Sequence, residues 1–225
     1  MKISDIQNVA NTTLRAIQFE QAVKMSILIE EVSNNPVLDA IQALKKMAEE
    51  ENVTIAIIGG AAAAYHGYPR STKDVDIVAD SPDFQKIVRI AHKYGFHSKT
   101  NNSYNPSWMF ELIYKHSASP DMYELPDGEV IPGILIEVLE EGMMDIPPVS
   151  ELGVTSGLGF ASLKSWVGLK LRADRMQDMA DVVQVMKKTS LPVQQEIGEY
   201  LIDKGGDLYD SFEYCLKKAH KELKS

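Results

Sequence analysis

The sequence is poor in cysteine, in long apolar runs and in basic residues, and each shortage excludes a class of protein. Its one cysteine, Cys215, allows no intrachain disulfide and no cysteine-based zinc site. No apolar run approaches the roughly 20 residues of a membrane span, and the stretch 1–20 lacks the continuous apolar segment of a secretory signal. We therefore expect a cytoplasmic protein without a membrane partner.

Basic residues are outnumbered by acidic ones, 23 Lys and Arg against 32 Asp and Glu, which gives a net charge of −9. This balance argues against broad electrostatic attraction to nucleic acid. Local basic groups are still present, one at Arg70 and Lys73 and another within residues 164–175. An acidic site is compatible with a nucleotide, because a nucleotide that arrives with Mg²⁺ is largely neutralised.

The hydrophobic pattern divides the chain into three parts. Residues 1–52 carry apolar side chains at three- and four-residue intervals and predict helices over 1–33 and 36–51. The first of these helices either packs on the core or binds a partner. Residues 53–157 hold the β-prone runs and predict the core, with a long loop over 114–131. Residues 158–225 predict a helical region that begins with a helix over 158–173. The pattern indicates an α+β protein.

The most informative stretch is 53–80, which reads VTIAIIGGAAAAYHGYPRSTKDVDIVAD. A β-prone run ends at Gly59 and Gly60, whose lack of a Cβ lets the chain turn tightly and come close to a ligand. A short alanine-rich helix follows, and its first amides favour a phosphate. A dinucleotide-binding turn is the alternative for such a segment, but the G-x-G-x-x-G spacing is absent.

Asp74 and Asp76 flank Val75 in the next β-type run. Residues two apart on a strand point to the same face, so the two carboxylates project side by side. Such carboxylates repel each other and raise each other's pKa unless a cation lies between them. Mg²⁺ is the natural candidate, because it prefers carboxylates together with substrate phosphates.

A lone acid, Glu137, interrupts the aliphatic run Ile134–Leu139, which predicts a strand. Burial of an unpaired carboxylate is costly. Glu137 therefore either faces water on an edge strand or belongs to a polar site.

These residues resemble the nucleotidyltransferase superfamily with the DNA polymerase β-like catalytic fold. Its signature is a hydrophobic residue and a glycine pair followed by an acidic–hydrophobic–acidic triplet, which is met by Ile58-Gly59-Gly60, thirteen further residues and Asp74-Val75-Asp76. A fuller pattern resembles the branch that contains the AbiEii-type toxins. It is met at Gly59, Gly60, Ala62, His66, Gly67, Arg70, Thr72, Asp74 and Asp76.

The resemblance implies a mixed β-sheet flanked by helices, and transfer of a nucleoside monophosphate from a nucleoside triphosphate to a hydroxyl of RNA, protein or a small molecule. A cognate antitoxin is a further partner that it implies. The catalytic and metal-binding residues would be Asp74, Asp76 and Glu137, with Mg²⁺ or Mn²⁺ as cofactor and Glu140 and Glu141 as alternatives to Glu137. The nucleotide-binding residues would be Gly59, Gly60, Arg70, Lys170 and Asp178.

Two positions depart from the pattern of that branch. Glu137 stands where an aspartate is usual, and Gln177 stands where a lysine precedes Asp178. These departures keep open a second interpretation, a catalytically weak nucleotide-binding or protein-interaction module of the same fold. A third interpretation is an ordinary α+β domain in which Asp74 and Asp76 are surface residues.

Overall fold

A computed structural model of the protein describes residues 35–68, 72–99 and 107–224. The first described helix, α1, spans Pro36–Glu51 as predicted. Asn35 caps it by accepting hydrogen bonds from the amides of Val37 and Leu38, at 3.0 and 3.4 Å, and Pro36 suits the first turn because it has no amide hydrogen to leave unsatisfied. The helix ends where Asn52 adopts a left-handed conformation, with φ at 51°. The helix predicted over 1–33 lies outside the described residues.

The centre of the fold is a mixed β-sheet. Within the described residues the strands pair in the order β3-β4-β6-β2-β1-β7, with β5 pairing only with β6. β2–β6 and β1–β7 are parallel pairs, and the other pairs are antiparallel. The predicted α+β class with a mixed sheet is confirmed. The strands are β1 Ile55–Ile57, β2 Asp74–Ala79, β3 Phe96–Ser98, β4 Met109–Lys115, β5 Met122–Glu124, β6 Val130–Glu140 and β7 Leu158–Phe160.

Helices cover the sheet and make up most of the described part of the chain after residue 162. Asp80 begins α3, Ser81–Ile90, by accepting a hydrogen bond from the Asp83 amide at 2.8 Å, and Ser162 caps α4, Leu163–Ala173. Two helices lie on either side of Gly205, within the region over 158–225 that the sequence predicted to be helical. The helices are α2 Gly59–Tyr65, α3 Ser81–Ile90, α4 Leu163–Ala173, α5 Met176–Met186, α6 Leu191–Lys204 and α7 Gly206–Glu222, and a 3₁₀ turn spans Ala91–Tyr94.

Two short strands lie where the sequence predicted other structure. The helix predicted from residue 158 begins only at Leu163, because Leu158–Phe160 pairs in parallel with β1 as β7. The loop predicted over 114–131 contains β5, which pairs with the first residues of β6. Both strands have three residues, too few for a two-residue period to register. Their pairing with distant strands decides their conformation.

One apolar cluster runs through the sheet and the C-terminal helices. It includes residues from Val37 in α1 to Ala219 in α7, and its largest fully buried side chains are Trp166, Phe84, Phe96 and Phe212. The division of the chain at residues 52 and 157 stays a prediction. In the described residues no helix is long and apolar enough to cross a membrane.

Ile57 tests the contribution of the central strand β1 to stability. Its side chain is fully buried between the neighbouring strands, so Ile57→Ala is expected to lower the free energy of unfolding by about 2–5 kcal/mol in urea denaturation. The control is Val88→Ala on α3, where the side chain is 44% exposed and a change within about 0.5 kcal/mol is expected. Equal losses for both variants would contradict the assignment of β1 to the core.

Candidate active site

Strand pairing brings the predicted acidic residues together. β2 and β6 run parallel, with Asp76 directly opposite Glu137 and Asp74 opposite Leu135. The residues that alternate with these acids, Val75 among them, are buried, while the acids themselves are partly exposed. Asp74, Asp76 and Glu137 therefore share one face of the sheet. β6 lies between β4 and β2, so the edge-strand interpretation of Glu137 is wrong.

The glycine pair lies against these acids. A Cβ on Gly59 would fall 1.7 Å from Asp76 Oδ2, and a Cβ on Gly60 would fall 2.6 Å from Thr72 Oγ1. Gly59 also has a φ of +63°, which side chains rarely adopt. The two glycines thus provide the space that the Asp76 carboxylate and the Thr72 hydroxyl occupy. Asp76 therefore points toward the glycine turn.

Thr72 orients Asp74. Its hydroxyl donates to Asp74 Oδ1 at 2.8 Å and lies 3.1 Å from the Asp74 carbonyl oxygen. In the structure, Thr72 links the second glycine to the first aspartate of the site.

The Asp76 carboxyl has a pKa well above the usual value for an aspartate. Its pKa is raised to about 7, first by burial and then by the negative charges of Asp74 and Glu137 and a hydrogen bond with Glu137; Lys170 opposes this shift. A hydrogen bond between two carboxyl groups requires one of them to keep its proton. A cation bound between Asp76 and Glu137 would take the place of that proton.

The residue types fit Mg²⁺ bound together with a substrate. In the described part of the chain no three His, Cys, Asp or Glu side chains are grouped so as to hold a metal ion. Mg²⁺, however, is commonly held by one or two carboxylates plus substrate phosphates. Asp76 and Glu137 are a pair of that kind, directly opposite each other on adjacent strands, and Asp74 adds a third hard oxygen donor on the same face.

The predicted nucleotide-binding residues Lys170 and Asp178 form a buried ion cluster. Lys170 Nζ lies 2.5 Å from Asp178 Oδ1 and 3.0 Å from Asp181 Oδ2, and the Lys170 residue is 7% exposed. Arg175 Nε adds a contact of 2.5 Å to Asp178 Oδ2. Burial alone would raise the pKa of Asp178, but hydrogen bonds from Arg175 and Lys170 hold it below its usual value. Gln177, at the departure from the family pattern, donates to Asp181 at 2.9 Å.

Trp166 joins this cluster to the glycine turn. Its side chain is fully buried, its indole nitrogen donates to the Gly59 carbonyl at 3.1 Å, and Lys170 Nζ lies 5.9 Å from the centre of its ring. α4 therefore contacts the turn directly. Nothing in the local sequence indicated this contact, because the two partners are 107 residues apart.

The remaining predicted residues lie away from the acids or outside the described residues. Glu140 is three positions beyond Glu137 on β6, so its side chain leaves the opposite face. Glu141 accepts a hydrogen bond from the Val149 amide at 2.7 Å. Arg70 lies outside the described residues.

Sequence reasoning missed one acid on the same face. Glu111 on β4 is directly opposite Glu137 on β6, so Asp76, Glu137 and Glu111 form a row across three adjacent strands. Glu111 follows Phe110 and precedes Leu112 and Ile113. It carries the signal that identified Glu137, an acid within an apolar strand, but in a strand that the family pattern does not mark.

Two solved structures from Helicobacter pylori are similar to this chain. JHP933 is 15% identical, with a TM-score of 0.46 and a match over 84% of this chain and 94% of that protein. A structure described as "putative nucleotidyltransferase from H. pylori" is 14% identical, with a TM-score of 0.44 and a match over 84% and 98% of the two chains. No protein-family model matches this sequence. No curated protein matches it either.

Asp76 gives the metal-free protein a defined pH dependence. Its pKa is raised from 3.8 in the unfolded chain to about 7 in the fold, so between these values the folded state holds the extra proton and loses stability as the pH rises. In EDTA, Asp76→Asn is expected to be more stable than the wild type by on the order of 2 kcal/mol at pH 8. The two proteins should converge near pH 4.

Urea denaturation between pH 4 and pH 8 measures this difference. Asp203→Asn is the matched control, because Asp203 is exposed on α6 and its substitution should leave the pH slope of the wild type unchanged. An Asp76→Asn protein with the wild-type slope would contradict the electrostatic account of the site.

Gly59 and Gly157 form a matched pair for the contact with Asp76. Both have nearly the same φ, +63° and +61°, but a Cβ on Gly157 meets nothing within 4 Å. Gly157→Ala should cost roughly 1–2 kcal/mol of backbone strain. Gly59→Ala should cost more, because the methyl group also displaces the Asp76 carboxylate. Chemical denaturation of both variants measures the difference, and equal costs would show that Asp76 does not pack on this turn.

Proposed function

We propose that the protein is a Mg²⁺-dependent nucleotidyltransferase that moves a nucleoside monophosphate from a nucleoside triphosphate to a hydroxyl acceptor. One observation carries the proposal: the Asp76 carboxylate lies against Gly59 and directly opposite Glu137 on the neighbouring strand. The glycine turn therefore lies against the sheet face that carries the carboxylate oxygens of Asp74, Asp76 and Glu137. An ordinary domain with Asp74 and Asp76 as surface residues does not account for a carboxylate that packs against Gly59 and faces a second acid on the next strand.

The chain's own groups would divide the work between binding and proton transfer. Gly59 and Gly60 would receive the phosphates at the turn, as the resemblance implies, and their lack of a side chain lets the Asp76 carboxylate and the Thr72 hydroxyl pack against that turn. Asp74, oriented by the Thr72 hydroxyl, and Asp76 provide the metal-binding oxygens. When bound there, Mg²⁺ supplies activation of the attacking hydroxyl and neutralisation of the α-phosphate and the leaving pyrophosphate.

Glu137 is the group best placed to accept a proton. As the acceptor oxygen forms its bond to the α-phosphorus, the hydroxyl proton passes to the Glu137 carboxylate and then to water. The bond between the α-phosphorus and the bridging oxygen breaks, and pyrophosphate leaves with that electron pair. The remaining contribution is positioning and electrostatic stabilisation, for which a few rigidly held side chains are sufficient.

Lys170 would act on the nucleotide indirectly, through its positive charge near Asp76, and Asp178 would hold Lys170 in place. Lys170 lowers the pKa of Asp76, which favours the ionised carboxylate that a metal needs. Its ammonium group is already held by Asp178 and Asp181, so this geometry supports a positioning role. Direct nucleotide contacts by Arg70, Lys170 and Asp178, and a toxin role with a cognate antitoxin, stay predictions from the resemblance.

A nucleotide-binding module without transfer activity is the second candidate. The observation that favours it is Gln177, which donates to Asp181 at the position where the family pattern has a lysine. This exchange removes one positive charge next to the site. The module binds a nucleotide and Mg²⁺ but transfers nothing.

Thermal unfolding and label transfer test the proposal together. Mg²⁺ with a nucleoside triphosphate should stabilise the wild type by about 2.7 kcal/mol at 100 times the dissociation constant, and nucleotide labelled at the α-phosphate should pass to an acceptor in a cell lysate. Asp76→Asn should lose both effects. Glu137→Gln should lower transfer by about 100-fold or more, because it removes the proton acceptor.

Glu124→Gln is the control, since Glu124 on β5 is exposed and both effects should persist. Binding without transfer in the wild type would favour the module. Neither binding nor transfer would overturn the proposed function.

A further inference from the structure

The acidic row of the site continues past Glu137 and ends in an ion pair. Glu111 on β4 faces Glu137 across the strand pair, and its Oε1 lies 3.1 Å from Lys99 Nζ. Both partners are mostly enclosed, with side-chain exposures of 16% for Glu111 and 27% for Lys99. An ion pair this enclosed is screened less by solvent than a surface pair.

The aromatic ring of Tyr123 lies beside this ion pair. β5 pairs with the start of β6, and Tyr123 packs against the apolar group of Ile113, Leu125 and Ile131 together with Leu135. Lys99 Nζ lies 5.8 Å from the centre of the Tyr123 ring. Burial raises the pKa of the Tyr123 hydroxyl, and the negative charges of Asp121, Asp74 and Glu111 raise it further. The Tyr123 hydroxyl therefore lies close enough to Asp74 and to Glu111 for their negative charges to affect it.

If the proposed function holds, the geometry of the transfer reaction determines from which side the acceptor approaches the α-phosphorus. The attacking and leaving oxygens lie roughly in line on opposite sides of the phosphorus. The glycine turn follows β1, and the sheet order from there is β2, β6 and β4. With the leaving pyrophosphate at the glycine turn and the metal-binding carboxylates on β2, the acceptor must approach over β6 and β4, where Glu111, Lys99 and Tyr123 lie.

The charges of this side disfavour a polyanion. Lys99 is paired with Glu111, and Lys73 lies 3.9 Å from Asp121, so each lysine described here already faces a carboxylate. Residues 100–106, which connect Lys99 to the strand that carries Glu111, contain no Lys, Arg, Asp or Glu. A phosphate backbone would find no unpaired cation among these described residues. Hydroxyl and ammonium groups would find Glu111 Oε2, which the ion pair through Oε1 does not use, and the ring of Tyr123.

We propose that Glu111, Lys99 and Tyr123 form the acceptor side of the site and select a hydroxyl acceptor that is neutral or positively charged. The acceptor is the hydroxyl of a polypeptide or of a small amino-alcohol, and a polyanionic RNA is rejected. Glu111 accepts a hydrogen bond from the acceptor, Lys99 holds Glu111 in place, and Tyr123 packs against the acceptor's carbon frame. These residues determine specificity and do not bind the nucleotide.

The first experiment identifies the acceptor class. The full chain is incubated with Mg²⁺, the four nucleoside triphosphates labelled at the α-phosphate, and cell lysate divided into RNA, protein and small-molecule fractions. Label is expected in the protein fraction or in the cationic part of the small-molecule fraction, and these two arms separate the two sources. Label in RNA would overturn the proposal but leave the proposed function intact.

Label in no fraction would overturn the acceptor proposal. If Mg²⁺-dependent stabilisation by the nucleotide persists in that case, the protein is the nucleotide-binding module. If that stabilisation is also absent, the proposed function fails too. The two failures are thus distinguished by the nucleotide-binding measurement.

The second experiment separates acceptor contacts from nucleotide contacts. Glu111→Gln, Lys99→Met and Tyr123→Ala should keep the stabilisation by Mg²⁺ and nucleotide within about twofold of the wild type, while KM for the labelled acceptor fraction rises roughly tenfold. Lys99→Arg should restore much of the transfer, because it retains the ion pair with Glu111. An equal loss of nucleotide binding in these variants would overturn the assignment.

Lys115→Met is the matched control. Lys115 lies on β4 and pairs with Glu129 at 3.3 Å, but both side chains are about half exposed, and transfer should be unchanged. Tyr123→Phe serves if Tyr123→Ala does not fold, because it retains the ring and should retain the acceptor KM. A tenfold rise in KM for Lys115→Met would show that the effect of Lys99→Met does not depend on its ion pair with Glu111.

Discussion

The site depends on the close placement of like charges along the parallel pair of β2 and β6. That pairing sets Asp76 beside Glu137, and the absence of a Cβ on Gly59 lets the Asp76 carboxylate fill the space against the turn. Two ionised carboxylates in this position repel each other, so the pair keeps a proton or takes up a cation. The buried strand residues beneath them hold the arrangement in place, because the core cannot relax without losing apolar burial.

The C-terminal helices complete the site electrostatically. Trp166 reaches the Gly59 carbonyl from α4, and Lys170 on the same helix offsets part of the negative charge at Asp76. Asp178 and Asp181 on α5 hold Lys170 in turn. A buried cation of this kind needs its partners, since an unpaired charge in the interior is strongly unfavourable. The helical region thus supports the turn, the acids and their charge balance through one set of contacts.

Much of the arrangement could be predicted from the sequence. Asp74 and Asp76 lie on one face because residues two apart on a strand must do so, and α1 begins at Pro36 because Asn35 can cap it. The prediction was wrong at Leu158–Phe160, where pairing with β1 overrides the helical pattern, and at Met122–Glu124 in the predicted loop. These three-residue strands have no local signal strong enough to compete with a distant partner strand.

By itself, then, the sequence determined the α+β class, the glycine turn, the shared face of Asp74 and Asp76 and the candidacy of Glu137, because each follows from backbone periodicity or from the lack of a side chain. Only the tertiary structure decided that Glu111 extends the acidic row, that Lys170 is enclosed by Asp178 and Asp181, and that Trp166 touches Gly59. The contact of Trp166 with Gly59 joins residues far apart in the chain, and that of Lys170 with Asp178 joins two successive helices. Their existence depends on strand order and helix packing, which local pattern does not encode.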